Sequence, residues 1–246
     1  FSCSDDAFWN AYFDIGHKPY ERDGVDFWWI DWQQGKKTAV EGLDPLWALN
    51  HYHTLDMAGK GKRPLILSRY AGLGSHRYPL GFSGDTHCTW KSLEFQPYFT
   101  NTAANAGYTW WSHDIGGFAG GTRDPEMFIR WLQLGVFSPI NRLHSTKRRH
   151  MFKEPWNFPL EYRTIAGQWL RLRHAMFPYL YTMNYRNYAE LTPMIQPMYY
   201  SHPKSNGAYE VPNQYWFGSE MFAAPITQAM DTSGLASTKV FFPEGI

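Results

Sequence analysis

The sequence predicts an α/β fold built on a parallel sheet, followed by a β-rich extension. Three observations carry this expectation. Short apolar or aromatic runs alternate with longer amphipathic stretches, the repetition expected of strand–helix units. The short runs are continuously apolar rather than alternating, as in parallel strands covered on both faces. Beyond Pro193 the texture changes to short β-like pieces separated by Pro, Gly, Asn and Ser. The division is therefore residues 1–192 for the α/β part and 193–246 for the start of a β domain.

In chain order, residues 5–17 read as a helix and "VDFWWID" (25–31) as a buried strand whose aromatic body ends on a carboxylate. Residues 45–58 follow as a helix and "RPLILS" (63–68) as the next strand. "YPLGFSGD" (78–85) carries a short strand near its end. A helix over 93–105 leads into the strand "YTWWSHD" (108–114), and a helix over 125–136 leads into the strand "SPINRLH" (138–144). Residues 161–191 read as one long helix, with a kink expected at Pro178, which lacks the N–H the helix ladder needs. The β-like pieces after it are "MIQPMYY", "QYWFGSEMFAAPI" and "KVFFPEG". No fixed-period repeat or low-complexity tract is present.

Composition narrows the function classes. Of 246 residues, 12 are Trp, 16 Tyr and 17 Phe. Aromatics supply core area, and they also supply the flat faces on which sugar rings stack. A net charge of +1 gives no electrostatic case for nucleic acid or an anionic membrane, and "KRRH" (147–150) reads as a solvated loop. No apolar stretch approaches the roughly 18 residues of a membrane span, and no signal-peptide pattern is visible at Phe1. Cys3 and Cys88 are too few for a disulfide framework and lack metal-ligand spacing. The chain opens without a methionine and stops mid-pattern at "FFPEGI", so a fragment of a longer protein is expected.

The five expected strands finish on Asp31, Arg69, Asp85, Asp114 and His144. One charged residue at a strand end is commonly a cap or an ion pair. Five in series point to a site, because parallel α/β barrels assemble their active sites at that edge. Two carboxylates facing one another can cleave a glycosidic bond, one attacking the anomeric carbon while the other protonates the leaving oxygen. Retention of configuration needs them roughly 5 Å apart, and inversion needs more. Arg69 would bind sugar hydroxyls or hold a carboxylate ionised, and His144 would donate to hydroxyls. Trp29, Trp32, Phe82, Trp110, Trp111 and Phe118 would floor the pocket and raise one acid's pKa by desolvation.

Other chemistries fit less well. Asp31, Asp85, His113, Asp114 and His144 could ligate a metal, yet only His113 and Asp114 are close in sequence, and neighbours on a strand point to opposite faces. No metal and no cofactor are expected. "YAGLGSHR" lacks the third glycine of a dinucleotide loop, and "GFSGD" has its second glycine one place early for a G-x-S-x-G elbow.

Taken together, these segments resemble glycoside hydrolase family 31, the retaining α-glycosidases. "WWID" (28–31) is similar to the family's W-I-D nucleophile strand, and "SRYAGLGSHRYPLGFSGDT" (68–86) to its R-x-x-x-x-G…G-D block. "HDIGGF" (113–118) looks like its D-I-C-G-F signature, and "SPINRLHS" (138–145) like its segment ending in a pocket histidine. "RLRHAMFPYLYTMNYRNYAELTPMIQPMYY" is like its last barrel helix and the passage into a β domain. The resemblance implies Asp31 as nucleophile and Asp85 as acid/base. It implies that Arg69 and His144 bind hydroxyls, that Asp114 binds the same sugar or orients the groups that do, and that Trp29, Trp32 and Phe82 line the pocket. It also implies that the chain supplies strands four to eight of a (β/α)₈ barrel, with the first three strands and a β-sandwich upstream. The departures are "WIDWQQG", where the family commonly has W-I-D-M-N-E, and a short interval between Asp31 and Asp85.

The expected function is thus a retaining α-glycoside hydrolase, α-glucosidase-like, acting on α-linked oligo- or polysaccharides. Its partners would be the carbohydrate substrate and the upstream part of its own chain, not nucleic acid or membrane. Alternatives are an α-transglycosylase, a relative acting on α-galactosides or α-N-acetylgalactosaminides, and a carbohydrate-binding fragment without catalysis.

Overall fold

The computed structural model describes residues 3–31, 35, 37–61, 63–69, 72–78 and 80–244. Trp32, expected at the pocket, lies outside them. The chain divides into two compact units, Phe1–Phe82 and Ser83–Ile246.

In the first unit, helix α1 (Asp6–Gly16) begins where the Asp5 carboxylate accepts the Ala7 N–H at 2.9 Å. Trp9 and Phe13, one turn apart, turn its apolar stripe into the core. A short helix α2 (Lys18–Arg22) follows, then strand β1 (Trp28–Ile30). Helix α3 (Pro45–Gly59) opens on Pro45, with the Asp44 carboxylate accepting the Leu46 N–H at 2.7 Å. Strands β2 (Ile66–Arg69) and β3 (Leu80–Phe82) complete a run of three parallel strands, with Trp28 opposite Ile66 and Arg69 opposite Phe82. The strand expected over 25–31 is trimmed to Trp28–Ile30 because only those residues face a partner on β2. Ile30, Leu46, Leu49, Met57 and Ile66 form the core with Trp9 and Phe13. Each such side chain contributes about 1.5–3 kcal/mol by leaving water. A polar inset crosses this core, where the Tyr12 hydroxyl and His53 Nε2 share a hydrogen bond at 3.0 Å. Burial pushes Tyr12 up to about 12 and His53 down to about 3, so both stay neutral.

The second unit contains strand β4 (His87–Cys88), helix α4 (Trp90–Asn105), and strands β5 (Trp111–Ser112) and β6 (Ala119–Gly121). Helix α5 (Pro125–Val136) is next, capped where Asp124 accepts the N–H groups of Glu126 and Met127. Its buried face includes Phe128, Trp131 and Leu132, which centre the larger core. β4 and β6, neither of them foreseen, pair in parallel.

Residues 138–144 differ from the expected strand. They make two isolated parallel bridges, Ser112 with Ile140 and Ile115 with Leu143, and no continuous ladder. Pro139 has no N–H to contribute to one.

The long helix is likewise two helices, α6 (Leu160–Ala175) and α7 (Phe177–Glu190). Pro178 falls in the first turn of α7, where its missing N–H leaves no partner unsatisfied, so the chain breaks at Met176 instead of kinking. Arg173 near the end of α6 donates to the carbonyls of Val136, Ser138 and Pro139 at 2.7, 2.7 and 2.8 Å, satisfying acceptors at the buried C-terminal end of α5. Burial pulls that guanidinium down to about 10.

The β extension is strand β7 (Ile195–Pro197), helix α8 (Asn206–Tyr209), and strands β8 (Tyr215–Phe217) and β9 (Met221–Ala223), with β7–β8–β9 antiparallel. Asn101 Nδ2 ties α4 to it through the carbonyls of Pro212 and Gln214 at 2.7 and 3.1 Å. "KVFFPEG" forms no strand among the described residues. The buried Gln214 amide takes the place of a partner strand, bonding both the N–H and the carbonyl of Phe241 at 2.8 and 2.9 Å.

Candidate active site

Asp31 directly follows β1, and Arg69 and Phe82 are the last residues of β2 and β3. In a parallel sheet these are neighbouring strand ends on one edge. Arg69 Nε donates to Asp31 Oδ1 at 2.5 Å, a charge-assisted bond between side chains that are 17% and 21% exposed. The same guanidinium lies 5.4 Å from the centroid of the buried Phe82 ring. Trp29 meets Phe82 edge-on, with centroids 5.9 Å apart, and leaves half its own surface to solvent. Asp31 is therefore held but reachable, with an exposed aromatic face beside it. Upstream of β3, Gly74 at φ 90° packs on Trp47, whose ring also carries the Arg77 guanidinium.

Asp85 leaves β3 through two consecutive left-handed residues, Gly84 at φ 65° and Asp85 itself at φ 51°. Aspartate tolerates this region better than most residues, and strained backbone of this kind gathers at functional positions. The exposed carboxylate lines a cavity of about 500 Å³ with Thr86, Lys91, Phe95 and Phe99.

Asp114 is fully buried. Arg142 Nη2 donates to its Oδ1 at 2.6 Å, and Arg142 Nε donates to Ser112 Oγ at 2.9 Å. The turn from Asp114 to Phe118 closes when the Gly117 N–H bonds the Asp114 carbonyl at 2.8 Å. Both glycines of "HDIGGF" are required there. A Cβ on Gly116 would sit 2.6 Å from Lys153 Cε, and one on Gly117 would sit 2.8 Å from Cys88 Cα. Beneath the turn, Lys153 Nζ donates to the Met151 carbonyl at 2.8 Å and lies 3.7 Å from Cys88 Sγ. Burial lowers the Lys153 pKa and raises that of the Cys88 thiol. Beyond the turn, the Phe118 N–H donates to the Thr86 carbonyl at 2.6 Å, and its ring stacks on His144 with centroids 5.1 Å apart.

His113 faces away from these groups. Its Nδ1–H donates to Gln96 Oε1 at 2.7 Å, and its Nε2 accepts from the Thr100 hydroxyl at 2.5 Å. Burial, then the Arg142 charge, hold it near pKa 3, as a neutral core histidine. Among the described residues no three His, Cys, Asp or Glu side chains converge as a metal would need.

Within the first unit, then, Asp31, Arg69, Trp29 and Phe82 meet. Within the second, the segments carrying Asp85, Asp114 and His144 are joined. The sequence reading missed Arg142, Ser112 and Lys153. The available signal was spacing, since Arg142 and His144 stand two apart in an extended run, as do Ser112 and Asp114, and share a face.

Comparison with known families matches residues 4–183 to the TIM-barrel domain of the glycosyl hydrolases family 31 and residues 191–246 to that family's C-terminal domain. The chain is 32% identical over 188 residues to neutral α-glucosidase C of Mus musculus, covering 75% of this chain and 20% of that protein. It is 30% identical over 204 residues to an α-xylosidase of Saccharolobus solfataricus, covering 80% of this chain and 27% of that one. A solved structure of a family 31 α-xylosidase from a soil metagenome, complexed with xylose, superposes with a TM-score of 0.79 at 26% identity, over 93% of this chain and 39% of its own. The α/β part with its β-rich extension therefore corresponds to part of longer proteins of one lineage, and the chain belongs to the glycosyl hydrolases family 31.

Proposed function

We propose that the protein carrying this chain is a retaining α-glycosidase that hydrolyses α-linked oligo- or polysaccharides, with Asp31 as nucleophile and Asp85 as acid/base. The observation that carries the reading is the Asp31 carboxylate, fixed by Arg69 at 2.5 Å beside an exposed tryptophan at the end of a family 31 barrel strand. An ionised, oriented carboxylate against a flat apolar face is what attack on an anomeric carbon needs. Relatives named α-glucosidase and α-xylosidase support the substrate class.

In the first step Asp31 attacks the anomeric carbon while Asp85 gives its proton to the departing oxygen, leaving a glycosyl ester on Asp31. In the second, Asp85 takes a proton from water, which displaces Asp31 with the original configuration restored. Trp29, Trp32 and Phe82 line the sugar's apolar face, Arg69 and His144 donate to its hydroxyls, and Asp114 binds the same sugar or orients the groups that do. Residues 1–192 supply this part of the barrel and 193–246 the first part of the β domain.

The test is a panel of aryl α-glycosides offered to the full-length protein, with the first-formed anomer followed by NMR. Asp31→Ala is expected to lose roughly 10⁴-fold or more in kcat. Asp85→Ala is expected to lose about 10²–10⁴-fold on poor leaving groups and far less on good ones. Undiminished hydrolysis by Asp31→Ala would overturn the assignment.

A further inference from the structure

We infer that Arg142 is a positioning residue of this site, acting through Asp114 and through the segment that bears His144. The inference rests on the glycosidase reading of the site. The Asp114 side chain is 0% exposed, and enclosing a carboxylate away from water is costly unless a donor or cation stands beside it. Arg142 Nη2 is that group at 2.6 Å. The second oxygen, Oδ2, is enclosed and accepts no hydrogen bond among the described residues, so the compensation falls on one guanidinium.

The geometry uses the fork. Nε reaches Ser112 Oγ at 2.9 Å while Nη2 reaches Asp114, so one planar group grips two positions on one face of the β5 segment. The grip is extended through the backbone. The Ile115 N–H donates to the Arg142 carbonyl at 3.2 Å, and the Thr146 N–H donates to the Phe118 carbonyl at 3.0 Å. Between those two bonds His144 stacks on Phe118, whose own N–H is bonded to Thr86, the residue after Asp85. A disturbance at Arg142 therefore reaches the proposed hydroxyl ligand and the loop of the proposed acid. A lysine could restore the charge but not two bonds in fixed directions.

The experiment compares Arg142→Ala, Arg142→Lys, Asp114→Asn and the double variant Arg142→Ala/Asp114→Asn in the full-length protein, beside wild type and Asp31→Ala. Arg142→Ala is expected to lower kcat/KM for an aryl α-glycoside about 100-fold. Millimolar guanidinium ion should restore part of that loss, and sodium chloride at equal ionic strength should not. Asp114→Asn should lose a similar amount, and the double variant no more than either single one, since both act through one contact. If Arg142→Ala does not fold, Arg142→Lys decides, with a loss of about 10-fold or more at wild-type stability supporting the role. Wild-type rates in either variant, a loss in a folded Arg142→Ala that guanidinium does not relieve, or losses that multiply in the double variant would overturn it. A wild type without glycosidase activity, or an active Asp31→Ala, would overturn the underlying reading as well. Failure of the Arg142 results alone, with Asp31→Ala inactive, overturns only the inference.

Discussion

Gly117 and Gly234 hold the same backbone angle, φ 79°, in opposite surroundings, and the contrast separates strain from crowding. A Cβ on Gly117 would strike the backbone of Cys88 at 2.8 Å, whereas one on Gly234 would meet nothing within 4 Å. Urea unfolding should show Gly117→Ala losing about 2–4 kcal/mol and Gly234→Ala only about 1 kcal/mol. At this scale the sequence exposed what a strand end exposes. Asp31, Arg69, Asp114 and His144 stood out because a charge closing an apolar run is unusual. Arg142 did not, because a lone arginine inside such a run also reads as solvent-facing until its partner is known. The left-handed turn at Gly84–Asp85 was equally silent, since aspartate gives no warning of a positive φ imposed by its neighbours.

Helix α5 shows how two ends of one element are secured by different means. Asp124 caps its start and also accepts the Trp90 indole N–H at 3.0 Å, while Arg173 fills the carbonyls beyond its end. Asp124→Ala should cost about 0.5–2 kcal/mol for the cap, with a further loss as the indole N–H goes unpaired. Arg173→Met should cost about 3 kcal/mol or more, because several enclosed acceptors lose their donor together. Both are read as shifts in denaturant midpoint. Only the first end was legible in advance. The helices over 45–58 and 125–136 agree with α3 and α5 within a residue because an aspartate followed by proline announces a helix start. Residues 138–144 and the "KVFFPEG" segment looked like strands because their composition is strand-like. Whether a ladder forms depends on the partner, which is interrupted in one case and replaced by the Gln214 amide in the other.

Across the molecule, acid should act through two histidines, one in each compact unit. His53 and His113 are held near pKa 3, against an ordinary value of 6.5. Between those values the unfolded chain binds protons that the folded imidazoles refuse. Their contribution to stability is complete above about pH 6.5 and declines as pH falls toward 3, at about 1.4 kcal/mol per pH unit for each histidine. Urea titrations across that window should show the slope, and His113→Gln should remove about half of it. The fold class, the order of elements and the change of texture beyond Pro193 were all readable at this scale, because continuous apolar runs and alternating helices are long-range regularities. The pairing of β4 with β6 was not, because two short polar-flanked segments far apart in sequence carry no periodic signal of each other.

The 2 cysteines are also distributed one to a unit, Cys3 in the first and Cys88 in the second, at 5% and 1% exposure. Neither thiol can meet a reagent until the atoms packed over it separate. Alkylation under native conditions, with each modified peptide timed by mass spectrometry, would therefore clock the opening of the two units independently in the unmodified protein. Cys88 lies beneath the Asp114 turn, so its labelling rate would report how often that wall of the site comes apart.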